Sequence, residues 1–536
     1  MNLKFPFISF LIAAALALSA VAAQAAPAPA PVIKAPAGEV RGTVQNGMNA
    51  YRGIPYAKPP VGALRWQPPQ PAEPWSGVRD ALNDAPQCAQ NADLGVFSKA
   101  GGQEDCLYLN VYVNKDALAT GEKLPVFVWI FGGGLRVGSG NDYNPERLVR
   151  QGRGIVVTFN YRVGVLGFLA HPALNAEKSR HTNYGFMDQA LALDWVQKNI
   201  AYFGGDPNNV TIAGESAGAH SVFSHIVSPY SAGKFQYAVA MSGGNVSARQ
   251  FSNPVSLADA LKSGEGFARA VSCDTAECLR ALPLATILKE QTPFATPRPI
   301  IDGDFLPISY ADAFQAGKVN RVTLINGNML DEGTFFAGTA EQLSGKPIDQ
   351  AAYEKMIRNR FGDVADRVLQ EYPVNRYANP AEAYAAHFTD SVFACPAHQT
   401  NAQLARFMPV YAYEFADRTA PSYLPPVSIA TNAAHTYELP YLFPGFKGGS
   451  NADTSLNAQQ TQLANDMAAI WTNIKQLNRL CPDWTPYDAQ QQNVMNFTLP
   501  QSAMKSGTFR QMHHCDFWER LGLYQTPVIA QHSRFK

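Results

Sequence analysis

The sequence predicts an α/β fold in which a large, mostly parallel sheet is covered by helices on both faces. Short runs at 126–130, 155–159, 210–213, 237–241, 322–325 and 410–415 are almost wholly apolar and rich in β-branched or aromatic residues, as strands buried on both faces must be. Elsewhere the apolar residues move to helical spacing. Ala192, Val196 and Ile200 recur every fourth position within 188–200, and Leu463, Met467, Ile470, Trp471 and Ile474 form a second stripe, each able to lay one apolar face on a sheet. Strands alternating with helices imply crossover connections and hence parallel pairing. Bulk composition agrees: 46% of the 536 residues are hydrophobic and 16% charged, ample material for one large core and unlike a disordered chain.

At the amino end, Lys4 precedes an apolar stretch over 5–18 that gives way to small residues and an Ala23-x-Ala25 site, the pattern of a secretory signal over residues 1–25. No cysteine follows the site, so a lipid anchor is not indicated; the expected destination is the periplasm or the medium. Residues 26–37, rich in Ala and Pro, read as an extended polyproline-type spacer that builds neither helix nor sheet. A single domain is expected over 38–536, since neither an internal repeat nor a linker-like break interrupts it, and the polar stretch 447–462 reads as a surface insertion. Within the domain, 38–44 and 50–56 suit short edge strands, and 107–113 alternates as a half-buried strand does. No later run is long and apolar enough to span a bilayer, so stable membrane insertion after signal cleavage is not expected. The 43 Lys and Arg residues balance 43 Asp and Glu, which leaves no electrostatic footprint for nucleic acid. Seven cysteines lie beyond the signal. Export permits disulfides, the spacings offer no zinc ligand set, and the odd count leaves one thiol over.

Chemistry concentrates at Gly214-Glu215-Ser216-Ala217-Gly218, directly after the strand 210–213 and before a segment able to be helical. A G-x-S-x-G sequence in that setting holds a serine on a sharp strand-to-helix turn, where small flanking residues let the backbone bend and the hydroxyl project. A serine nucleophile needs a base, and the base an orienting acid. His220, His225, His387, His398, His435, His513, His514 and His532 all follow Ser216; the order serine, acid, histidine favours the late ones, and spacing alone does not choose among them. Phe131-Gly132-Gly133-Gly134-Leu135 follows the strand 126–130, where the N–H groups of Gly133 and Gly134, with that of Ala217, are placed to hold a developing oxyanion. A phosphate-binding reading of this loop fails for want of a following Gly-Lys-Ser/Thr or of G-x-G-x-x-G spacing. No metal and no organic cofactor is implied.

These segments, with Tyr51-Arg52-Gly53-Ile54-Pro55-Tyr56, Glu104-Asp105-Cys106-Leu107-Tyr108-Leu109-Asn110, Asn183-Tyr184-Gly185 and Phe203-Gly204-Gly205-Asp206-Pro207 in the same order, resemble the type B carboxylesterases, the family of cholinesterases, bile-salt-stimulated lipase and bacterial para-nitrobenzyl esterases. The resemblance covers nearly the whole mature chain. It implies an α/β-hydrolase fold whose long insertions form a gorge over the active site, and a small-molecule ester as substrate. It marks Glu332 of Asp331-Glu332-Gly333 as the triad acid, with Asp331 the runner-up, and His435 of Ala434-His435-Thr436-Tyr437-Glu438 as the base. Ser242 resembles a supporting Ser-Gly element, with Met241 where the family usually has Gln. Disulfides Cys88–Cys106, Cys273–Cys278 and Cys395–Cys515 carry over in the same way and leave Cys481 unpaired. The implied reaction is ester hydrolysis through an acyl-enzyme. The same machinery directed at amides, carbamates or lactones, and a non-catalytic binding protein of this superfamily, are the alternatives. Leu135 and Arg136 stand where the family often has an aromatic after its glycines; Arg136 either meets an anionic ester or is solvated or ion-paired.

Overall fold

The computed structural model describes residues 29–522 apart from 98, 177–181, 245–252 and 295–296; the expected signal peptide lies outside the described residues. Among the described residues thirteen strands form one sheet. Its first edge is antiparallel: β1 (Pro29–Ala35), β2 (Gly38–Gln45), β3 (Met48–Pro55) and β5 (Tyr108–Asn114) lie side by side, with β4 (Val78–Asp80) parallel to β2. Next to β5 comes β7 (Ile155–Phe159), then β6 (Leu124–Ile130), β8 (Gly205–Glu215), β9 (Tyr237–Met241), β12 (Thr323–Met329), β13 (Val410–Phe415) and β14 (Val494–Phe497). From β7 to β14 every pair is parallel, and β15 (Ala503–Lys505) closes the far edge antiparallel. A separate parallel pair joins β10 (Val255–Ser256) to β11 (Ile300–Ile301).

The apolar runs occupy the central strands as expected: 126–130 and 155–159 are buried throughout. Helices pack on these faces because their stripes match. Tyr184–Asn199 buries Ala192, Leu193 and Val196, and Ala458–Thr472 drives Leu463, Met467, Ile470 and Trp471 into the core, where the Trp471 ring lies 5.3 Å from Tyr413 and 5.4 Å from Phe497.

Three boundaries differ from the sequence expectation. Residues 29–35 are sheet rather than spacer: Val32, Ile33 and Lys34 pair antiparallel with Arg41, Val40 and Glu39. Proline lacks a donor but is tolerated at the start of an edge strand, and the Tyr51 hydroxyl donates to the Pro31 carbonyl at 2.8 Å. The stretch 447–462 ends inside a helix, since Asn457 caps Ala458–Thr472 in a reciprocal bond with Gln460 that satisfies otherwise orphaned donors. Finally β12 continues beyond 325 through Asn326, Gly327 and Asn328; the Asn326 amide is kept in the core by donating to Asn401 Oδ1 at 2.7 Å.

The carboxyl ends of β6, β8, β9 and β12 lie along one edge of the sheet, where α/β folds place their ligands. The carboxyl-terminal segment is tied to the start of the helix Cys395–Leu404 by Cys395–Cys515, which spans 120 residues; closing a loop of that length removes about 5 kcal/mol of unfolded-chain entropy at 25 °C. Beside that bridge His513 is buried between two carboxylates, Nδ1 at 2.8 Å from Asp390 and Nε2 at 2.7 Å from Glu414. Burial opposes its charge, but Glu414 and the hydrogen bonds to Asp390 and Glu414 prevail and push it up to about 10 from an ordinary 6.5.

The folded chain therefore keeps a proton that the unfolded chain surrenders above pH 6.5. The clamp's contribution is complete below that pH and is lost as pH rises through about 10, at up to about 1.4 kcal/mol per pH unit. Thermal unfolding followed across that window should show the parent chain losing stability steadily, while His513→Gln starts less stable and shows a shallower decline.

Candidate active site

Ser216 lies between β8 and the helix Ala217–Val227 with φ 55° and ψ −119°, a left-handed conformation costing about 1–3 kcal/mol for a residue with a Cβ. Packing enforces it. A methyl on Gly218 would stand 2.1 Å from the Ile130 carbonyl oxygen, and one on Gly214 would stand 2.4 Å from the Gly218 carbonyl carbon. Only glycine at both positions lets the turn lie this tightly against β6. The Ser216 N–H donates to the Met241 carbonyl at 2.9 Å, which ties the turn to β9.

The glycine loop follows β6 directly. The Cβ position of Gly132 is 3.3 Å from the Ser216 Cβ, so loop and serine are in contact. Gly133 and Gly134 have φ of 100° and 64°, and a Cβ on Gly133 would meet the Val137 carbonyl oxygen at 2.3 Å. That carbon-free turn is closed by the N–H groups of Arg136 and Val137 donating to the Gly133 carbonyl at 3.1 and 3.2 Å. Among the described residues the Gly133 and Gly134 N–H groups carry no hydrogen bond of their own. Ala217 opens its helix and has no intrahelical acceptor.

After β12 the chain turns through Asp331 and Glu332. The Glu332 carboxylate accepts from His435 Nδ1 at 2.6 Å across 103 residues, and both side chains are nearly inaccessible to solvent. Phe335, Phe336 and Phe393 pack around the imidazole with ring centroids 5.9, 5.1 and 4.9 Å away, so its orientation is fixed by apolar walls as well as by the carboxylate. On its other side Nε2 is 3.2 Å from Glu215 Oε1. Burial, then the charges of Glu438 and Glu332, hold the Glu215 carboxyl well above the usual carboxylate range; burial and Glu332 do the same to Glu438.

A sequence model of the Carboxylesterase family matches residues 29–518. The chain belongs to that family. Fumonisin B1 esterase of Sphingopyxis macrogoltabida is 36% identical over 452 residues, covering 82% of this chain and 80% of that protein. Para-nitrobenzyl esterase of Bacillus subtilis (strain 168) is 33% identical over 452 residues, covering 82% and 88%. Among solved structures, a thermophilic para-nitrobenzyl esterase superposes with a TM-score of 0.76 at 28% identity, covering 90% of this chain and 99% of that one. This carboxylesterase is thus a carboxylic ester hydrolase with the α/β-hydrolase fold.

The fold of the carboxylesterase brings Ser216, the glycine loop, Glu332 and His435 to one sheet edge and sends the competing residues elsewhere. Asp331 is held by a fork of two bonds from Arg418, at 2.8 and 2.9 Å. His220 Nε2 is 2.6 Å from the Gly243 carbonyl, His225 lies between Ser231 and Gln189, His398 meets Tyr487, and His514 meets Glu371. His387 sits among the rings of Tyr353, Phe361 and Tyr384, and His532 lies outside the described residues. Ser242 is buried at φ 55° with its N–H on the Gly327 carbonyl at 2.9 Å, and its hydroxyl has no partner among the described residues. Met241 turns its sulfur to the Trp471 indole N–H at 3.2 Å, an apolar substitute for an amide at that place. Cys88–Cys106 and Cys273–Cys278 are bridged, like Cys395–Cys515, and Cys481 is free. Arg136 is ion-paired with Asp93 at 2.8 Å.

Two members of the site had no assigned role in the sequence reading. Glu215 was read only as the variable residue of its motif, and Glu438, three positions after His435, was not singled out; both are short-range neighbours of named residues, which is the one signal that marks them. The clash at Gly218 sets a direct test. Gly218→Ala should be destabilised by at least about 2 kcal/mol in urea unfolding, since backbone at 2.1 Å cannot yield as a flexible side chain does, and ester turnover should fall with the displaced Ser216.

Proposed function

We propose that this carboxylesterase cleaves small-molecule esters by two-step acyl transfer, with Ser216 as nucleophile, His435 as general base and acid, Glu332 as the orienting acid, and the N–H groups of Gly133, Gly134 and Ala217 as the oxyanion site. The observation that carries the reading is the 2.6 Å contact between Glu332 and His435 Nδ1. It leaves Nε2 as the proton acceptor on the serine side. Ser216 Oγ bonds to the ester carbonyl carbon as its proton passes to Nε2, and the carbonyl electron pair moves onto oxygen, held by the three amides. The C–O bond to the alcohol then breaks, and the alkoxide leaves with the proton from Nε2. Water repeats the sequence on the acyl-serine, releasing the carboxylic acid and restoring the hydroxyl. Glu332 fixes the tautomer and stabilises the imidazolium without taking its proton.

We also infer that the mature enzyme works outside the cytoplasm. The three bridges favour an oxidising compartment, and the leader-like sequence over 1–25 supplies the route. Secretion assays comparing the full chain with one starting at residue 26 test the leader, which should be required for export.

Stopped-flow hydrolysis of para-nitrophenyl acetate should show a burst of nitrophenol that a serine-directed organophosphate abolishes, with a single adduct mapped to Ser216. Ser216→Ala should lose the burst while keeping the parent unfolding profile; full turnover by that variant would remove Ser216 from the mechanism. Glu332→Gln should lower kcat by about 10³–10⁴, the loss typical when the orienting acid becomes an amide, and Asp331→Asn by less than tenfold. Matched anilides should turn over far more slowly than esters.

A further inference from the structure

We propose that Arg136 and Asp93 form a charge-compensated recognition pair beside the oxyanion loop, which selects esters carrying a neutral hydrogen-bond acceptor near the scissile bond and disfavours esters carrying a carboxylate there. The proposal rests on the reading that Gly133 and Gly134 border the reacting carbonyl.

Arg136 is part of the loop itself. Its N–H closes the glycine turn on the Gly133 carbonyl, and its Cδ lies 3.9 Å from the point where a Gly134 side chain would begin. The stem of the Arg136 side chain thus lies beside Gly134. Asp93 meets it with one contact, Oδ2 to Nη2 at 2.8 Å, and the two side chains are 16% and 22% exposed. A guanidinium usually engages a carboxylate through two parallel bonds. Here the single bond leaves Nε buried with no hydrogen-bond partner among the described residues. That atom is closed to solvent, so a substrate acceptor would be met instead by the guanidinium N–H groups on the exposed part of the side chain, which the single bond to Asp93 leaves without a partner among the described residues.

Asp93 is not free to swing away. Its segment is closed by Cys88–Cys106 and pinned to the loop by Gln90, which donates to the Gly138 carbonyl at 3.0 Å and accepts from the Gly138 N–H at 2.7 Å. Beyond Asp93, Leu94 touches Gly134 and Phe97 packs 5.9 Å from Phe446. The negative charge thus stays beside the arginine when substrate binds. An ether, amide or second ester carbonyl gains the spare donor without repulsion. A carboxylate meets Asp93 at short range in a partly desolvated place, where screening is weak.

The test compares 4-nitrophenyl methyl succinate, its monoanionic counterpart 4-nitrophenyl hydrogen succinate, and 4-nitrophenyl butanoate, which lacks the second acceptor. The parent enzyme should favour the methyl succinate over the hydrogen succinate in kcat/KM. Asp93→Asn should shift the anion-to-neutral ratio toward the anion by about tenfold or more, a gain that added salt changes little. Arg136→Gln should raise KM for the methyl succinate relative to the butanoate and should not gain activity on the anion. Equal loss on all three esters in both variants, as a purely structural pair would give, overturns the proposal, as does an unchanged ratio in Asp93→Asn. Should Asp93→Asn not fold, the KM ratio in Arg136→Gln decides alone. Failure of the parent enzyme to form a Ser216 adduct would instead remove the catalytic reading beneath it.

Discussion

The close approach of Gly218 to the Ile130 carbonyl governs the site. A methyl there would overlap the oxygen of the neighbouring strand at 2.1 Å, so the helix that follows the serine can sit against β6 only without a side chain at that point. Three features follow from this one contact. The serine is forced into φ 55°, the glycine loop that leaves β6 comes close to the serine Cβ, and Ala217 opens its helix with no intrahelical acceptor for its N–H. The strain is over-determined by parallel pairing on both sides, since Ala213 is in register with Trp129 of β6 and with Val239 of β9. A single isolated turn could not hold such a conformation; seven parallel strands can.

Buried charge is the second constraint. Glu215, Glu332 and Glu438 are all buried near one imidazole, and three ionised carboxylates in such a place would cost far more than the surrounding packing could offset. Burial pushes the carboxyls of Glu215 and Glu438 upward and so favours their neutral forms, while Glu332 is the carboxylate hydrogen-bonded to the imidazole, at Nδ1. The contrast with His513 is instructive. There two carboxylates flank one buried imidazole and push it up to about 10, which locks the ring as a cation and makes it a clamp. Similar side chains thus surround two buried imidazoles differently: His513 is hydrogen-bonded to a carboxylate at each nitrogen, whereas His435 has its short carboxylate bond at Nδ1 alone.

The parts of the fold that were legible in the sequence are those where burial acts on both faces. The runs at 126–130, 155–159 and 237–241 are strands because they are almost wholly apolar and rich in β-branched or aromatic residues, and Gly214 to Gly218 was readable because the turn needs glycine on each side of the serine. What failed to show was set by partners distant in the chain. Asn326 and Asn328 extend β12 because the neighbouring strands and Asn401 receive them, β14 rests against β13 although its own run is short, and the Ala- and Pro-rich start becomes an edge strand because β2 supplies the ladder. Spacing alone could not choose His435 among eight histidines, or Glu332 over Asp331. The resemblance marked both, and the structure places Asp331 on Arg418 and Glu332 on His435.

The sheet fixes where the strands end, but the two halves of the site sit on loops that leave different strands, and something must hold those loops together. The disulfide-closed segment 88–106 spans that gap. Asp93 and Leu94 touch the glycine loop on one side, and Phe97 packs against Phe335 and Phe446 on the other, with Phe335 itself against the His435 ring. The strut is built from side chains rather than from strand pairing, so its residues can vary without disturbing β6, β8 or β12. The two parts of the chain are therefore constrained differently: the glycines that frame the strained serine meet backbone at 2.1 and 2.4 Å and tolerate no side chain, while Arg136 and Asp93 meet through side chains alone.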